Sequence, residues 1–438
     1  MNKQAVRSWE QALQELHSRI GRHFKRAEPR QRVYRYLQGL LSNVPRKNGW
    51  QMAERAGESS PDGMQRLIST AAWDEDGVRD DVRAYVVDHM SSSEGVLVLD
   101  ETGFLKKGKC SVGVKRQYSG AAGGIENCQI GVFLTYRTQK GHALIDRALY
   151  LPKEWVDDAA RREQTNVPET VGFAKKAELA RNLLQRAFDA QVPHRWITAD
   201  SIYGDDRQLR EWLQKHKEWY VLGITRHHLL YYDGARQRFD EIAATLPPTA
   251  WQQLSCGTGT KGERLYEWAI VSWRNWNYPE DELHAFLVRR NPLDPTDEAY
   301  FRVFAPTGTS LQTLVQVAGQ RWTIEECFEL AKSELGLSHY EVRSWQGWLR
   351  HVTLVMLALA FLTVMRSLAN QLDSHKKMTL RRVWLYSQCL KFGICFILYS
   401  GLLSLKSNGL WLGLAGDVFT RPVQWLPMSV ANTFSCTR

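Results

Sequence analysis

Two stretches, VLVLDETGF (96–104) and HRWITADSIYGDD (194–206), decide the fold. Each carries a short apolar run that closes on an aspartate, Asp100 in the first and Asp200 in the second. Such a run fits a buried strand whose C-terminal end faces a cleft. Around them, NCQIGVFLTYRT (127–138) and HALIDRALYLP (142–152) read as strands joined by a Lys-Gly turn. Residues 169–190 read as a long amphipathic helix, 205–216 as another helix, and EWYVLGIT (218–225) as a further strand. The order β-β-β-α-β-α-β predicts an α/β fold, a mixed sheet flanked by helices.

The flanks have different rhythms. Residues 1–90 read as helical throughout, with Leu13, Leu16 and Ile20, then Val33, Tyr34, Leu37 and Leu41, at helical spacing. Within them, GWQMAERAGESSPDGMQRLIS suggests two short helices broken between Gly57 and Gly63. Arg22, Lys25, Arg26, Arg30, Arg32, Arg46 and Lys47 surround that pair, which fits a helix-turn-helix-like DNA reader or a plain helical bundle. After 225, the pieces RLYEWAIVSW, LHAFLVRR and AYFRVFA, separated by turns, read as a β-rich insertion. Residues 309–335 read as one strong helix starting at Thr309 or Ser310. VTLVMLALAFLTVMRSLAN reads as a core helix, since Arg350 and Arg366 leave only a short apolar stretch for a bilayer. The expected segments are 1–90 (helical, basic, DNA-binding), 91–225 and 309–372 (two parts of one core), 226–308 (insertion) and 373–438 (an atypical apolar tail).

Composition narrows the classes. The chain has 438 residues, 44% hydrophobic and 24% charged, which excludes wholesale disorder and collagen-like structure. Seven cysteines without a C-x-x-C pair argue against zinc ribbons and disulfide scaffolds, and fit free thiols in the cytoplasm. The N-terminal residues lack the apolar stretch of a signal peptide, and no membrane partner is expected. The net charge of +10 is concentrated: residues 1–60 hold 12 Lys/Arg against 5 Asp/Glu. A basic end on a balanced body fits nucleic-acid binding; a solvated basic surface is the plainer alternative.

Asp100 and Asp200 can share one rim if their strands are neighbours. The segment RWTIEECFELAKSELGLSHYE (321–341) supplies a third carboxylate. Arg321, Glu325 and Lys332 stand at i, i+4 and i+11, nearly one helix face, whereas Glu326 points about 100° away. Three convergent carboxylates would hold Mg²⁺, a hard cation that completes its shell with phosphate and water, and two ions ~4 Å apart suit in-line phosphoryl displacement. A surface ion-pair ladder among Arg321, Glu325, Glu329 and Lys332 fits the same spacing.

These segments, with KRQYSGAAGGIENCQIGVFLTY (115–136), resemble the DDE transposases of bacterial insertion sequences over about residues 60–370. The resemblance implies an RNase H-like core with a β-rich insertion before the glutamate. It also implies Mg²⁺-dependent cleavage of transposon-end DNA and strand transfer into target DNA, with Mn²⁺ as a substitute cofactor. Asp100, Asp200 and Glu325 would be the catalytic, metal-holding triad. The family signature Tyr-x2-Arg-x3-Glu-x6-Lys falls on Arg321, Glu325 and Lys332, with Ala318 at the tyrosine position. Double-stranded DNA, transposon ends and target alike, would be the partner, and a homodimer the synaptic unit at the nucleoid. Lys106, Lys107, Lys115 and Arg116, after the first aspartate, join Arg321 and Lys332 as candidate DNA contacts.

Two other readings stand beside this one. One is a transposase-derived DNA-binding protein with little or no catalytic activity, suggested by a tail that lacks an Arg-rich ending. The other, a glycoside hydrolase with paired carboxylates, leaves the basic N-terminus without purpose. His142, His194 and His339 lack metal-ligand spacing and read as structural or DNA-contacting. Among Trp196, Trp212, Trp219, Trp268, Trp322 and Trp345, most are expected in the core and one or two against a flipped base.

Overall fold

The computed structural model describes residues 3–232, 234–259, 262–272 and 279–374. The expectations for the tail fall almost wholly outside them. Five helices come first: α1 (Lys3–Ile20), α2 (Ala27–Leu40), α3 (Gly49–Ala56), α4 (Asp62–Ser69) and α5 (Glu75–Met90). Their bounds follow from local chemistry. Asn48 caps α3 by accepting from the Gln51 N–H, Gly57 ends it at φ 73°, and Asp74 caps α5 through the N–H groups of Asp76 and Gly77. Leu13, Leu16, Ile20, Val33, Leu37 and Leu41 are buried as their spacing predicts, and Tyr34 is half-buried.

The core follows as β1 (Val96–Leu105), β2 (Lys115–Ser119), β3 (Gly124–Thr138) and β4 (Gly141–Tyr150). Helices α6 (Lys153–Val156), α7 (Ala159–Gln164) and α8 (Lys176–Asp189) lead to β5 (Trp196–Ala199). Then come α9 (Ser201–Gly204), α10 (Arg207–Lys215) and β6 (Tyr220–Ile224). The helix expected over 169–190 begins only at Lys176; Pro168 and Gly172 precede it, residues that favour irregular chain. β1, β5 and β6 are parallel neighbours, while β3 runs antiparallel to β1. VLVL, WITA and YVLGI are buried end to end, as strands covered on both faces require.

The segment after β6 does not form a detached body. A hairpin of β7 (Leu229–Tyr232) and β8 (Ala235–Arg238), with α11 (Phe239–Ala244), precedes β9 (Gln252–Gly259), β10 (Gly262–Ser272), β11 (Glu282–Asn291) and β12 (Asp294–Pro306). β12 pairs antiparallel with β6, so the insertion extends the core sheet in the order β2-β3-β1-β5-β6-β12-β11-β10-β9, with β4 also on β3. Phe239 stacks on Phe286 at 4.2 Å between centroids, within a small second core shared by Ile224, Val288 and Tyr300.

Residues 309–335 make two helices, not one. Ser310 caps α12 (Leu311–Gln320), and Arg321 is the joint to α13 (Trp322–Ser333). The break lets α12 lie on β9, where Gly319 sits against the Cys256 carbonyl so closely that a Cβ would be 2.0 Å from the oxygen, while α13 turns onto β1 and β4. Last described is α14 (Trp345–Ser374), packed on β4 and α5. It is long and apolar enough to cross a membrane, yet 83% of its most apolar window is buried inside the protein. The helices of 1–90 share the core with the sheet: Tyr36 Oη lies 2.8 Å from His351 Nδ1, and Arg350 on α14 donates to the Ser69 and Trp73 carbonyls.

Candidate active site

Register alone brings the two aspartates together. β1 pairs with β5 only from Val96↔Trp196 to Leu99↔Ala199, and the next residue on each strand is Asp100 and Asp200. β1 does not stop at Asp100, as its apolar run suggests; it continues to Leu105 against β3, with Asp100 opposite Phe133. The rim therefore exists on one side, where β5 ends and β1 runs on. The turn after β5 needs tight packing: a Cβ on Gly204 would lie 1.7 Å from the Gly223 carbonyl oxygen. Asp200 caps that turn, its Oδ1 accepting from the Ile202 N–H at 3.0 Å.

The electrostatics record the crowding. Burial, then the neighbouring charges of Asp200 and Glu101, push the Asp100 carboxyl up to about 8, against the pull of Arg321. Asp200 is raised to about 6, by burial and then Glu101, opposed by backbone N–H groups and Arg321. Both carboxyls are thus easier to protonate than an exposed aspartate.

Arg321 links the third carboxylate to this pair. Its Nη1 is 2.8 Å from Glu325 Oε1 and 3.7 Å from Asp100 Oδ2, so both acids touch one guanidinium. Lys332, on the same face, is not free for solvent: its Nζ donates to Thr102 Oγ1 at 2.7 Å and to the Gly103 carbonyl at 3.1 Å. Burial lowers its pKa. Glu326 points elsewhere, 3.4 Å from His142 Nε2. Of the alternative surface ladder, only the Arg321–Glu325 rung forms as an ion pair.

Sequence reading missed Glu101. It accepts from Lys176 Nζ and from Tyr203 Oη, both at 2.7 Å, and so ties β1 to α8 and α9. Its signal was its place next to Asp100 on the opposite face of the strand. Among the described residues, no three His, Cys, Asp or Glu stand ready to hold a metal ion. Asp100 and Asp200 offer the oxygen donors that suit a hard cation, with the Arg321 guanidinium facing Asp100. Glu325 is joined to this pair through Arg321.

The other candidates are dispersed. Lys115 and Arg116 lie on strand β2, not in a loop; Lys115 pairs with Glu154 and Arg116 is exposed. Lys106 donates to the Tyr340 carbonyl at 3.2 Å and sits 3.5 Å over its ring, with burial lowering its pKa to about 8. Lys107 is exposed. In the N-terminal helices, Lys47 is buried and donates to the Gly39 and Ser42 carbonyls, which withdraws it from any DNA-facing set. Arg22 pairs with Asp81, and Arg32 with Glu28 and Glu58, while Lys25 and Arg26 are exposed. His142 is held near Glu326 with burial depressing its pKa to about 3, His194 bonds Val192 and Glu218, and His339 accepts from the Lys47 N–H. Trp196 and Trp268 are core; Trp212, Trp219 and Trp345 pack against it; Trp322, beside Arg321, is 44% exposed.

Comparison with known proteins points to a family. The model of a family described as DDE superfamily endonuclease matches residues 19–275, which include both aspartates and end before α13. The chain is also 22% identical over 323 residues to a probable transposase for insertion sequence element IS701 from Microchaete diplosiphon. That alignment covers 71% of this chain and 76% of the relative.

Proposed function

The chain belongs to the DDE superfamily endonucleases, a transposase family, and on that premise we propose that it cuts transposon-end DNA with Mg²⁺ and joins the freed 3′-OH to target DNA. The observation that carries the reading is the parallel register that sets Asp100 beside Asp200, with Glu325 one guanidinium away. Asp100, Asp200 and Glu325 would hold the ion. Mg²⁺ there supplies Lewis acidity at the phosphodiester and a lowered pKa for the attacking water or hydroxyl.

The chain's own residues do the rest. Asp100 and Asp200 would hold the ion in their ionised forms, the only forms that are ligands. Arg321, beside Asp100 and Glu325, would neutralise a phosphate oxygen, which phosphoryl transfer requires more than it requires a protein nucleophile. Lys332 pins β1 at Thr102 and Gly103, holding Asp100 at the rim. Trp322 offers an exposed ring next to the scissile position for an unstacked base. The protein would act as a homodimer on nucleoid DNA in the cytoplasm.

The test is cleavage of terminal-repeat DNA. Asp100→Asn, Asp200→Asn and Glu325→Gln should each abolish Mg²⁺-dependent nicking while leaving DNA binding largely intact. Normal nicking by the Glu325 variant, with loss in Glu326→Gln, would overturn the assignment. A second reading, a DNA-binding descendant with little activity, draws on the guanidinium lodged between Asp100 and Glu325. Under that reading the unaltered protein binds the repeats but cuts in neither Mg²⁺ nor Mn²⁺.

A further inference from the structure

β2 and the first residues of β3 form a hairpin that outruns the rest of the sheet. Lys115–Ser119 pairs with residues 124–128, and β1 reaches only its base, where Leu105 meets Cys128. Side chains alternate across it. Ser119 and Cys128, on one face, are buried; Arg116, Tyr118, Ile125 and Asn127 share the other. On that open face Tyr118 and Ile125 stand directly opposite each other across the strands, 65% and 61% exposed. Two large apolar side chains adjoining in water mark a contact surface more than a scattered exposed residue would.

The surroundings say which partner suits it. Lys107 and Lys109 are exposed in the segment entering the hairpin, and Arg116 has no acidic partner among the described residues. Lys115 is on the opposite face, paired to Glu154. With Arg116 on this face and two lysines in the adjoining segment, the apolar pair has cations beside it and is complementary to a polyanion with apolar edges, not to a second copy of the same basic face. A two-stranded ribbon fits the major groove, and apolar side chains also wedge at base steps in the minor groove.

We propose that this open face of the β2–β3 hairpin contacts the DNA duplex beside the scissile phosphate, Arg116 on the backbone and the Tyr118–Ile125 pair within a groove. The inference rests on the transposase reading and adds the surface and position of the contact. Its reach is set by register. Asp100 lies opposite Phe133, and Ile125 is eight residues further along β3. At ~3.3 Å per strand residue that is about 26 Å, or about eight base pairs of B-form DNA at ~3.4 Å each. Contacts from this face therefore fall within about eight base pairs of the cut.

The experiment is hydroxyl-radical footprinting of the full chain, without Mg²⁺, on duplex carrying the inverted repeat that flanks its gene. Salt-dependent affinity, cleavage and oligomeric state are measured on the same preparations. Arg116→Ala should lower the slope of log affinity against log salt by about 1. Tyr118→Ala with Ile125→Ala should weaken binding about tenfold with that slope unchanged, the size of one base contact. Both should erase protection only within about eight base pairs of the cut, without altering the melting temperature or oligomeric state. An unchanged footprint in variants of a protein that still cuts overturns the hairpin contact and leaves the transposase reading standing. Loss of oligomerisation with an intact footprint also overturns it, assigning the face to a protein partner. An unaltered protein that neither binds nor cuts the repeat sinks both.

Discussion

Asp100 is where a few atoms carry the most consequence. Its carboxyl, raised to about 8, keeps a proton that the unfolded chain releases near 4. The folded state therefore binds the extra proton between those values, and stability falls as pH climbs from about 4 to about 8 in the cation-free protein. Asp200, at about 6, adds a narrower window with the same sign. Asp100→Asn removes the penalty. Urea unfolding in EDTA should show the variant gaining on the parent as pH rises from 4 to 8, by up to about 5 kcal/mol, with the gap closing towards pH 4. A constant gap across that range would mean that the aspartate is not protonated in the fold. A lone aspartate after an apolar run says little, since such residues often cap turns as Asp200 does. The pair was legible because two apolar runs each reach one and a helical glutamate accompanies them. Lys47 shows the opposite case: a lysine in a basic stretch looks like a surface cation, and only the carbonyls of Gly39 and Ser42 reveal that it is a structural donor.

At the scale of elements, the site is held by strands and helices pinned to one another through single side chains. Glu101 pins three of them, β1 to α8 through Lys176 and to α9 through Tyr203. Glu101→Ala strands a buried phenol and an ammonium, and the cost should be about 3 kcal/mol in urea unfolding at pH 5. Above pH 8 the cost should be smaller, because Glu101 is then a like charge beside an ionised Asp100 and Asp200, and its removal relieves that repulsion. An equal cost at both pH values would separate Glu101 from the aspartate pair. The buried strands of the core, the break between the two short helices and the Arg321–Glu325 face could be read from periodicity and spacing. The joint at Arg321 could not, since both halves keep helical periodicity and the break answers to different neighbours, β9 for α12 and β4 for α13. The extension of the sheet by β12 was equally hidden, because strand pairing is a long-range choice that alternation does not encode.

The whole molecule decides what the basic N-terminus can be. As a sequence, residues 1–60 look like a detachable arm; in the fold they line the same core as the sheet. Phe24 stacks on Trp73 at 5.0 Å, Tyr36 reaches His351 on α14, and Arg350 on that helix pairs with Glu75. Removing the segment would bare α14, whose buried stretch is as apolar as a membrane span, so the truncated chain should aggregate before DNA binding could be read. Surface substitution asks the question cleanly. Lys25 and Arg26 are exposed, and neither appears in an ion pair among the described residues. If the helical region lies on DNA through them, Lys25→Ala with Arg26→Ala should reduce the salt slope of binding by about 2, one released counterion per cation. The melting temperature should stay unchanged, because no buried group loses a partner. A full-strength slope in a well-folded double variant would confine DNA contact to the rim around Asp100 and leave the charge of residues 1–60 to solubility.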